Sequence, residues 1–583
     1  MRSTGAKRFA SILPQGTSRR RVLAARMMLA LSVATIGLES VSAADAQVAS
    51  SSNKAATDSP HSNTAPFNII PIVTNSFLPG NATLPGFPQV ALVQPGGSTI
   101  MADSVGYQDG AFVNGEAIYY PWEVINGGAD WQQVIMDGVL NSVIISYNAS
   151  GGVGGFSDPS NWSWFDLSTL PYAGKGTIQP GNQGYNTPAP YTGGVVVGNV
   201  VYPTPDANNP YPVFIAYNSS QPLDSPDAYQ TFVPPPMGGA RGPSYGWCSG
   251  TNDGRFVYYA PSSNPVNGNS GNIFRYDTTV PFSEISSWSN FDLGANISPD
   301  AEGFQSAAYD GHRFVYFIPF KNSLIVRYDS WGGGSAPAPA AFTAPASYQT
   351  LDPTLLNTPG YPSTTGSGKT ANLTGFTGAA VAWDTAGTNE YLYFVPWGTY
   401  PANAAGKKAK NPHLESTTAR VRIGTQNKSG WNYVDFTSTS SSPATDPDWE
   451  IYDLKSLTQN PAWPAAWPAT YPSTLGTPFG GQSTIAGWQI AYVVTSPTSM
   501  VGFIPDLAEF FVQHSVDHAL SDPGGWYVAQ VPLCCSVTPP TLCPDTGYHC
   551  GTMGGGYDQV NQILYPSSPA NPLFAIQFSP LPQ

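Results

Sequence analysis

An all-β fold built from about seven repeated four-stranded units follows from three features of the sequence. The first is a near-verbatim repeat. Asp253-Gly254-Arg255-Phe256-Val257-Tyr258-Tyr259-Ala260-Pro261 returns as Asp310-Gly311-His312-Arg313-Phe314-Val315-Tyr316-Phe317-Ile318-Pro319, with five weaker copies around them. The second is composition: 60 Gly, 57 Pro and 13% aromatic residues in 583 suit many short strands joined by turns. The third is the near absence of long helical periodicity. A lone sheet of this size cannot bury both faces, so the copies must stack face to face. With about seven of them radial closure is the economical arrangement, a β-propeller.

Residues 1–46 read as a cleavable signal. A basic region ends in Ser18-Arg19-Arg20-Arg21-Val22-Leu23, an apolar run covers Met27 to Leu38, and Ala44-Asp45-Ala46 offers a small-residue cleavage site. The Ser-Arg-Arg-x-x-Leu arrangement resembles a twin-arginine signal, with Val22 where that signal prefers Phe; an ordinary secretory signal fits the same residues. Residues 47–65 form a flexible leader, and 66–583 a single propeller domain. Later segments offer no uninterrupted apolar run of membrane-spanning length.

Each copy has a first strand of small residues, a turn, an aromatic second strand ending in Pro, then a third and a fourth strand. The Pro falls at Pro121, Pro203, Pro261, Pro319, Pro396 and Pro566. Asp-Gly or Asn-Gly between the first two strands supplies the positive φ of a tight hairpin, and the Pro ends the second strand because it cannot donate to the ladder. The sixth copy is degenerate, with Gly480 to Ala486 as its first strand and Gln489 to Val494 as its second. The seventh stops at a third strand, Leu573 to Phe578, so the N-terminal segment around Gln89 to Val93 is expected to complete it and join the chain ends. Inserted loops lie near 332–347, solvated and rich in Gly, Pro and Ala, near 438–478, and near 505–520. The last reads as a helix whose face carries Leu507, Phe510, Phe511 and His514.

The chain carries a net charge of −14, and only 10% of its residues are charged. Removing residues 1–46 takes away seven basic and two acidic residues, leaving 16 basic against 35 acidic, or −19. That sign argues against nucleic acid and anionic membranes as partners. A low-charge surface of neutral polar groups suits a secreted or periplasmic protein facing acid.

Recurrence separates scaffold from chemistry. Arg275-Tyr276-Asp277 and Arg327-Tyr328-Asp329 occupy the same place in two copies, so each Arg and Asp is expected to brace strands. Trp164 and Trp288 likewise read as equivalent packing residues. Acids that do not recur are the catalytic candidates: Glu116, Glu123, Asp130 and Asp137 in the first copy, Asp300 and Glu302 in the loop leading to the fourth. A glycosidase needs two such carboxylates across one cleft. Trp122, Trp331 and Trp397 follow strand ends and could stack on sugar rings. His514 and His518, four apart on the expected helix, are the metal candidates; no other cofactor is expected. Cys534, Cys535, Cys543 and Cys550 crowd one segment and are disulfide candidates outside the cytoplasm, with Cys248 left over.

Through the Asp-Gly-Arg-x-Val-Tyr-Tyr-x-Pro and Arg-Tyr-Asp elements, residues 110 to 578 resemble secreted bacterial β-propeller repeat proteins, a likeness of architecture that implies no activity. The leading expectation is an exported propeller that binds an extracellular ligand, a glycan foremost, at the channel mouth or on inserted loops. The alternatives are a glycoside hydrolase or polysaccharide lyase on the same scaffold, and a structural module that binds a surface protein.

Overall fold

The computed structural model describes residues 67–71, 91–93, 99–101, 107–121, 143–170, 191–205, 212–233, 238–352, 376–396, 417–433, 448–453, 490–530 and 555–578, short breaks within these spans aside. The chain is all-β: among the described residues the α-helix is confined to Leu293–Asn296. Among the described residues, six four-stranded antiparallel sheets and one five-stranded sheet follow in chain order, with three two-stranded ribbons beside them. In the third sheet the strands are Trp247–Asn252, Phe256–Pro261, Asn272–Asp277 and Trp288–Asp292; in the fourth, Phe304–Tyr309, Phe314–Pro319, Ile325–Asp329 and Tyr348–Leu351.

The repeated motif is the turn and second strand of these sheets. Asp253 Oδ1 accepts the backbone N–H of Arg255 at 3.0 Å and of Phe256 at 2.7 Å, while Gly254 takes φ 90°. Asp310 caps its turn in the same way, accepting from His312, Arg313 and Phe314. The strand-ending Pro faces an aromatic residue of the first strand: Tyr107↔Pro121, Trp247↔Pro261, Phe304↔Pro319 and Phe376↔Pro396. In the second sheet that place belongs to Pro205, opposite Tyr191, rather than to Pro203.

A second repeated device starts the fourth strand, where an aromatic side chain donates to a carbonyl six residues earlier. It joins Trp162 to Phe156, Tyr229 to Leu223, Trp288 to Phe282, Tyr348 to Phe342 and Trp526 to Leu520, at 2.7–3.0 Å. The partner of Trp288 by position is therefore Trp162, not Trp164. The carbonyl is buried, so the bond satisfies a group that would otherwise cost about 1–3 kcal/mol.

From the seventh sheet through the first to the fifth, successive sheets pack face to face. Their fourth strands stack rings: Phe165 on Tyr229 at 4.7 Å, Phe232 on Trp288 at 4.7 Å, and Phe291 on Tyr348 at 4.6 Å. Each such pair adds about 0.5–1.5 kcal/mol beyond the area it buries. Shared cores join the seventh sheet to the first, then first to second, second to third, third to fourth and fourth to fifth. The fifth and sixth meet through Tyr393, whose hydroxyl lies 2.8 Å from Gln513 Oε1, and Arg420, which donates to the Val516 carbonyl at 2.8 Å.

Several expectations are corrected. The last sheet is completed by Phe67–Pro71, antiparallel to Phe574–Phe578, whereas Ala91–Val93 forms a hairpin with Thr99–Met101. The sixth sheet begins at Ile490–Ser496, the segment read as its second strand, and continues through Thr498–Ile504, Glu509–Gln513 and Trp526–Gln530. The expected helix near 505–520 is thus a third strand followed by turns. The Phe-Phe-Val run favours a strand, and pairing on both sides outweighs the local helical spacing. Within the span assigned to the 438–478 insertion, Trp449–Asp453 is a strand paired with Thr417–Asn427.

The 332–347 loop is not wholly solvated: Phe342 is fully buried beside Phe256 and Phe291. It sandwiches the Arg275 guanidinium with Phe256, each ring centroid 4.1 Å away. The acid of each Arg-Tyr-Asp element pairs not with its own Arg but with the hairpin-turn Arg: Arg255 with Asp277, Arg313 with Asp329.

Candidate functional site where the first strands converge

Each of the first five sheets has an irregular register near the start of its first strand, with residues inserted opposite the end of the second. Such bulges re-aim side chains without breaking the sheet. In the first sheet the inserted Asp109 takes φ 62°, and in the third Ser249 takes φ 48°, both left-handed conformations that L-residues adopt at a cost. Between them lies Gly193 of the second sheet. A Cβ there would sit 2.7 Å from the Ser249 Cα and 3.0 Å from Asp109 Oδ2, so only glycine fits. Asp109 Oδ1 accepts the N–H of Gly110 at 2.7 Å and, from the seventh sheet, that of Gly555 at 2.9 Å. Backbone of the second and seventh sheets thus packs against one carboxylate of the first, with Ser249 of the third on the other side of Gly193.

Burial pushes the Asp109 carboxyl up to about 7, against the pull of its two backbone N–H bonds. Near neutrality it can therefore either donate or accept a hydrogen bond. Two neighbouring second strands present hydroxyls just before their final Pro. Tyr120 Oη and Thr204 Oγ1 are buried with no hydrogen-bond partner among the described residues. Thr192, Cys248 and Gln305, from the bulges of the second, third and fourth sheets, are also buried. The arrangement can hydrogen-bond a neutral polar group, and its one carboxyl can exchange a proton.

Among the sequence candidates, Glu116 begins the second strand of the first sheet, beside the Asn114-Gly115 turn. Its Oε2 lies 3.4 Å from Tyr217 Oη of the second sheet, and burial raises its pKa. Asp300 is exposed and Glu302 half-buried in the loop leading into Phe304–Tyr309, at the opposite end of a first strand from its hairpin turn. Glu116 and this pair therefore belong to opposite ends of their sheets. Trp331 follows the third strand of the fourth sheet and lies beside Arg313, whose guanidinium carbon is 5.3 Å from a ring centroid. His518 Nδ1 is 2.7 Å from Asp522 Oδ2, an acid in the turn after it. Among the described residues no group of three or more His, Cys, Asp or Glu could hold a metal. Glu123, Asp130, Asp137, Trp122, Trp397, His514, Cys534, Cys535, Cys543 and Cys550 lie outside the described residues.

Sequence reasoning passed over Asp109, which stands beside the first-strand Gly110 of copy one. The signal was present: the corresponding bulges carry Gly193 and Ser249, so Asp109 is a nonrepeating acid at a repeated place.

Among the described residues no helix is long and apolar enough to cross a membrane. No family model matches the chain, and no curated protein matches it. Solved structures to which it is similar include two extracellular domains from B. thetaiotaomicron. One is assigned to a one component system, at 9% identity and TM-score 0.35, covering 85% of this chain and 44% of that one. The other is assigned to a hybrid two component system, at 8% identity and TM-score 0.36, covering 82% and 40%. The chain spans less than half the length of either, and at these scores the likeness assigns it neither a fold nor an activity.

Proposed function

We propose that this chain is an exported seven-sheet β-propeller that binds a neutral, hydroxyl-rich extracellular ligand, a glycan, where its first strands converge around Asp109. The observation that carries the reading is the meeting of Asp109, Gly193, Ser249 and Gly555, drawn from four sheets, with the unpartnered hydroxyls of Tyr120 and Thr204 nearby. The six successive sheet junctions and the pairing of Phe67–Pro71 with the last sheet support radial closure. A surface with few charges matches a neutral ligand. The test is retention of wild type and Asp109→Asn on a panel of immobilised polysaccharides, with new reducing ends assayed alongside. Retention that weakens in the variant supports the site; equal retention of both proteins places binding elsewhere.

A second reading, glycoside hydrolysis, would use Asp109 as general acid, its carboxyl raised toward neutrality by burial, with a second carboxylate that the described residues do not bring to it. New reducing ends from wild type, lost in Asp109→Asn, would select it.

A further inference from the structure

Six residues before the strand-ending Pro, the third and fourth sheets carry Arg255 and Arg313, whereas the fifth carries Glu390. The charge is reversed at a place the scaffold seals. Glu390 has no exposed side-chain surface, and neither of its oxygens has a hydrogen-bond partner among the described residues. Across the junction, Asp310 of the fourth sheet is 2% exposed; its Oδ1 caps the hairpin turn and its Oδ2 has no described partner. His312 Nε2 stands 3.9 Å from Glu390 Oε1, its ring edge-on to Trp383.

The guanidinium groups around this junction are engaged elsewhere. Arg313 donates to Asp329 at 2.7 and 2.6 Å, Arg327 through Nε to Gln349 at 3.0 Å, Arg420 to Glu450 at 2.5 Å, and Arg422 through Nε to Asp448 at 2.7 Å. Tyr309, Tyr316 and Tyr433 also face the two acids, and burial raises all three phenols, so they stay neutral. Burial lowers the pKa of His312 despite Asp310, so it brings little positive charge at neutral pH. An ionised carboxylate sealed here without a donor or a cation costs far more than a protonated one.

We propose that the junction between the fourth and fifth sheets is a proton-operated latch, closed while Glu390 carries a proton and loosened when Glu390 ionises beside Asp310. It holds together the core of Ala308, Tyr316 and Ile318 against Leu392, Phe394 and Val421. Burial first, then the charge of Asp310, pushes Glu390 up from 4.5 to about 9. Because the folded value lies above the unfolded one, the native state holds the extra proton between them. The stabilisation is complete below about 4.5 and is lost as pH rises through about 9.

The test is the unfolding equilibrium of wild type and Glu390→Gln from pH 5 to 9. Wild type should lose stability steadily, and at pH 8.5 its unfolding constant should have risen, relative to pH 5, at least about tenfold more than the variant's. Parallel curves overturn the latch. Should the variant fail to fold, wild type alone decides. At pH 8, above the Asp109 titration, the infrared absorption of a protonated carboxyl should persist, then disappear above pH 9 as amide exchange quickens in Phe314–Pro319 and Asn389–Pro396. A chain with no protonated carboxyl at pH 8 overturns it.

Discussion

Arg255 and Asp277 clasp each other across the third sheet, the guanidinium donating from Nε at 3.2 Å and from a terminal nitrogen at 2.7 Å. Arg313 and Asp329 repeat the clasp in the fourth, at 2.7 and 2.6 Å. The turn and the triplet, two motifs in the sequence, are the two halves of one ion pair.

The two clasps should differ in worth. Arg255 is 49% exposed and Arg313 19%, so solvent screens the first more. Asp277→Asn should cost about 0.5 kcal/mol and Asp329→Asn about 1–2 kcal/mol, by chemical denaturation at pH 7. Against the upward push of burial, the Arg255 guanidinium and the hydrogen bonds from Thr279 hold the Asp277 carboxyl at about 2, below the usual 3.8. Its stabilisation is therefore present above the ordinary value and lost as pH falls through about 2. The Asp277→Asn deficit should shrink along that descent.

Breaking the N-terminal strand should unfasten the last sheet. Ile69→Pro puts a proline in the middle of the paired strand, opposite Ile576, and should quicken amide exchange in Phe574–Phe578. Leu92→Pro, in the separate Ala91–Val93 hairpin, should leave amide exchange in Phe574–Phe578 unchanged. Equal protection of Phe574–Phe578 in wild type and Ile69→Pro would contradict the pairing.

At Asp109, backbone and charge separate by substitution. Asn tolerates φ 62°, so Asp109→Asn should fold, while Asp109→Val should lose a further 1–2 kcal/mol or about that from strain. Asp109 has a raised folded pKa, so its stabilisation is complete below the ordinary 3.8 and lost as pH rises through about 7. Thermal denaturation between pH 4 and 7 should show a shallower decline in Asp109→Asn than in wild type.

Phe342→Ala should cost about 3–5 kcal/mol, because it opens a cavity and uncovers one face of Arg275. Ala336→Ser, exposed on the same loop, should be neutral in the same melting experiment.

The repeating strands were legible because their signals are local. Asp253 with Gly254 makes a turn wherever it stands, and Phe256 to Pro261 carries its burial pattern in its composition. The sixth sheet escapes the repeat pattern because Ser496-Pro497-Thr498 stands where the other copies have Asp-Gly or Asn-Gly, and its strand-ending Pro505 reads equally as the start of a helix. Phe510 and Phe511, beside each other, suit a helix face or a strand until a neighbouring strand chooses. Trp164 and Trp288 look equivalent in sequence because each precedes a Phe-Asp pair, Phe165-Asp166 and Phe291-Asp292; the bond from Trp162 to Phe156 sets the register instead. Asp109 stayed hidden because its meaning depends on Gly193, Ser249 and Gly555, which only the assembled sheets bring together.

The pairing of Phe67–Pro71 with Phe574–Phe578 bears on the order of folding. Most other sheet contacts form between strands close in sequence, so each unit can take shape as it emerges. This one spans about five hundred residues, and closing so long a loop costs only about 3 kcal/mol more than closing a twenty-residue one. Its demand falls on time rather than on energy. Phe67–Pro71 emerges first and cannot find this partner until Phe574–Phe578 has been made, so during synthesis its backbone is open to other chains.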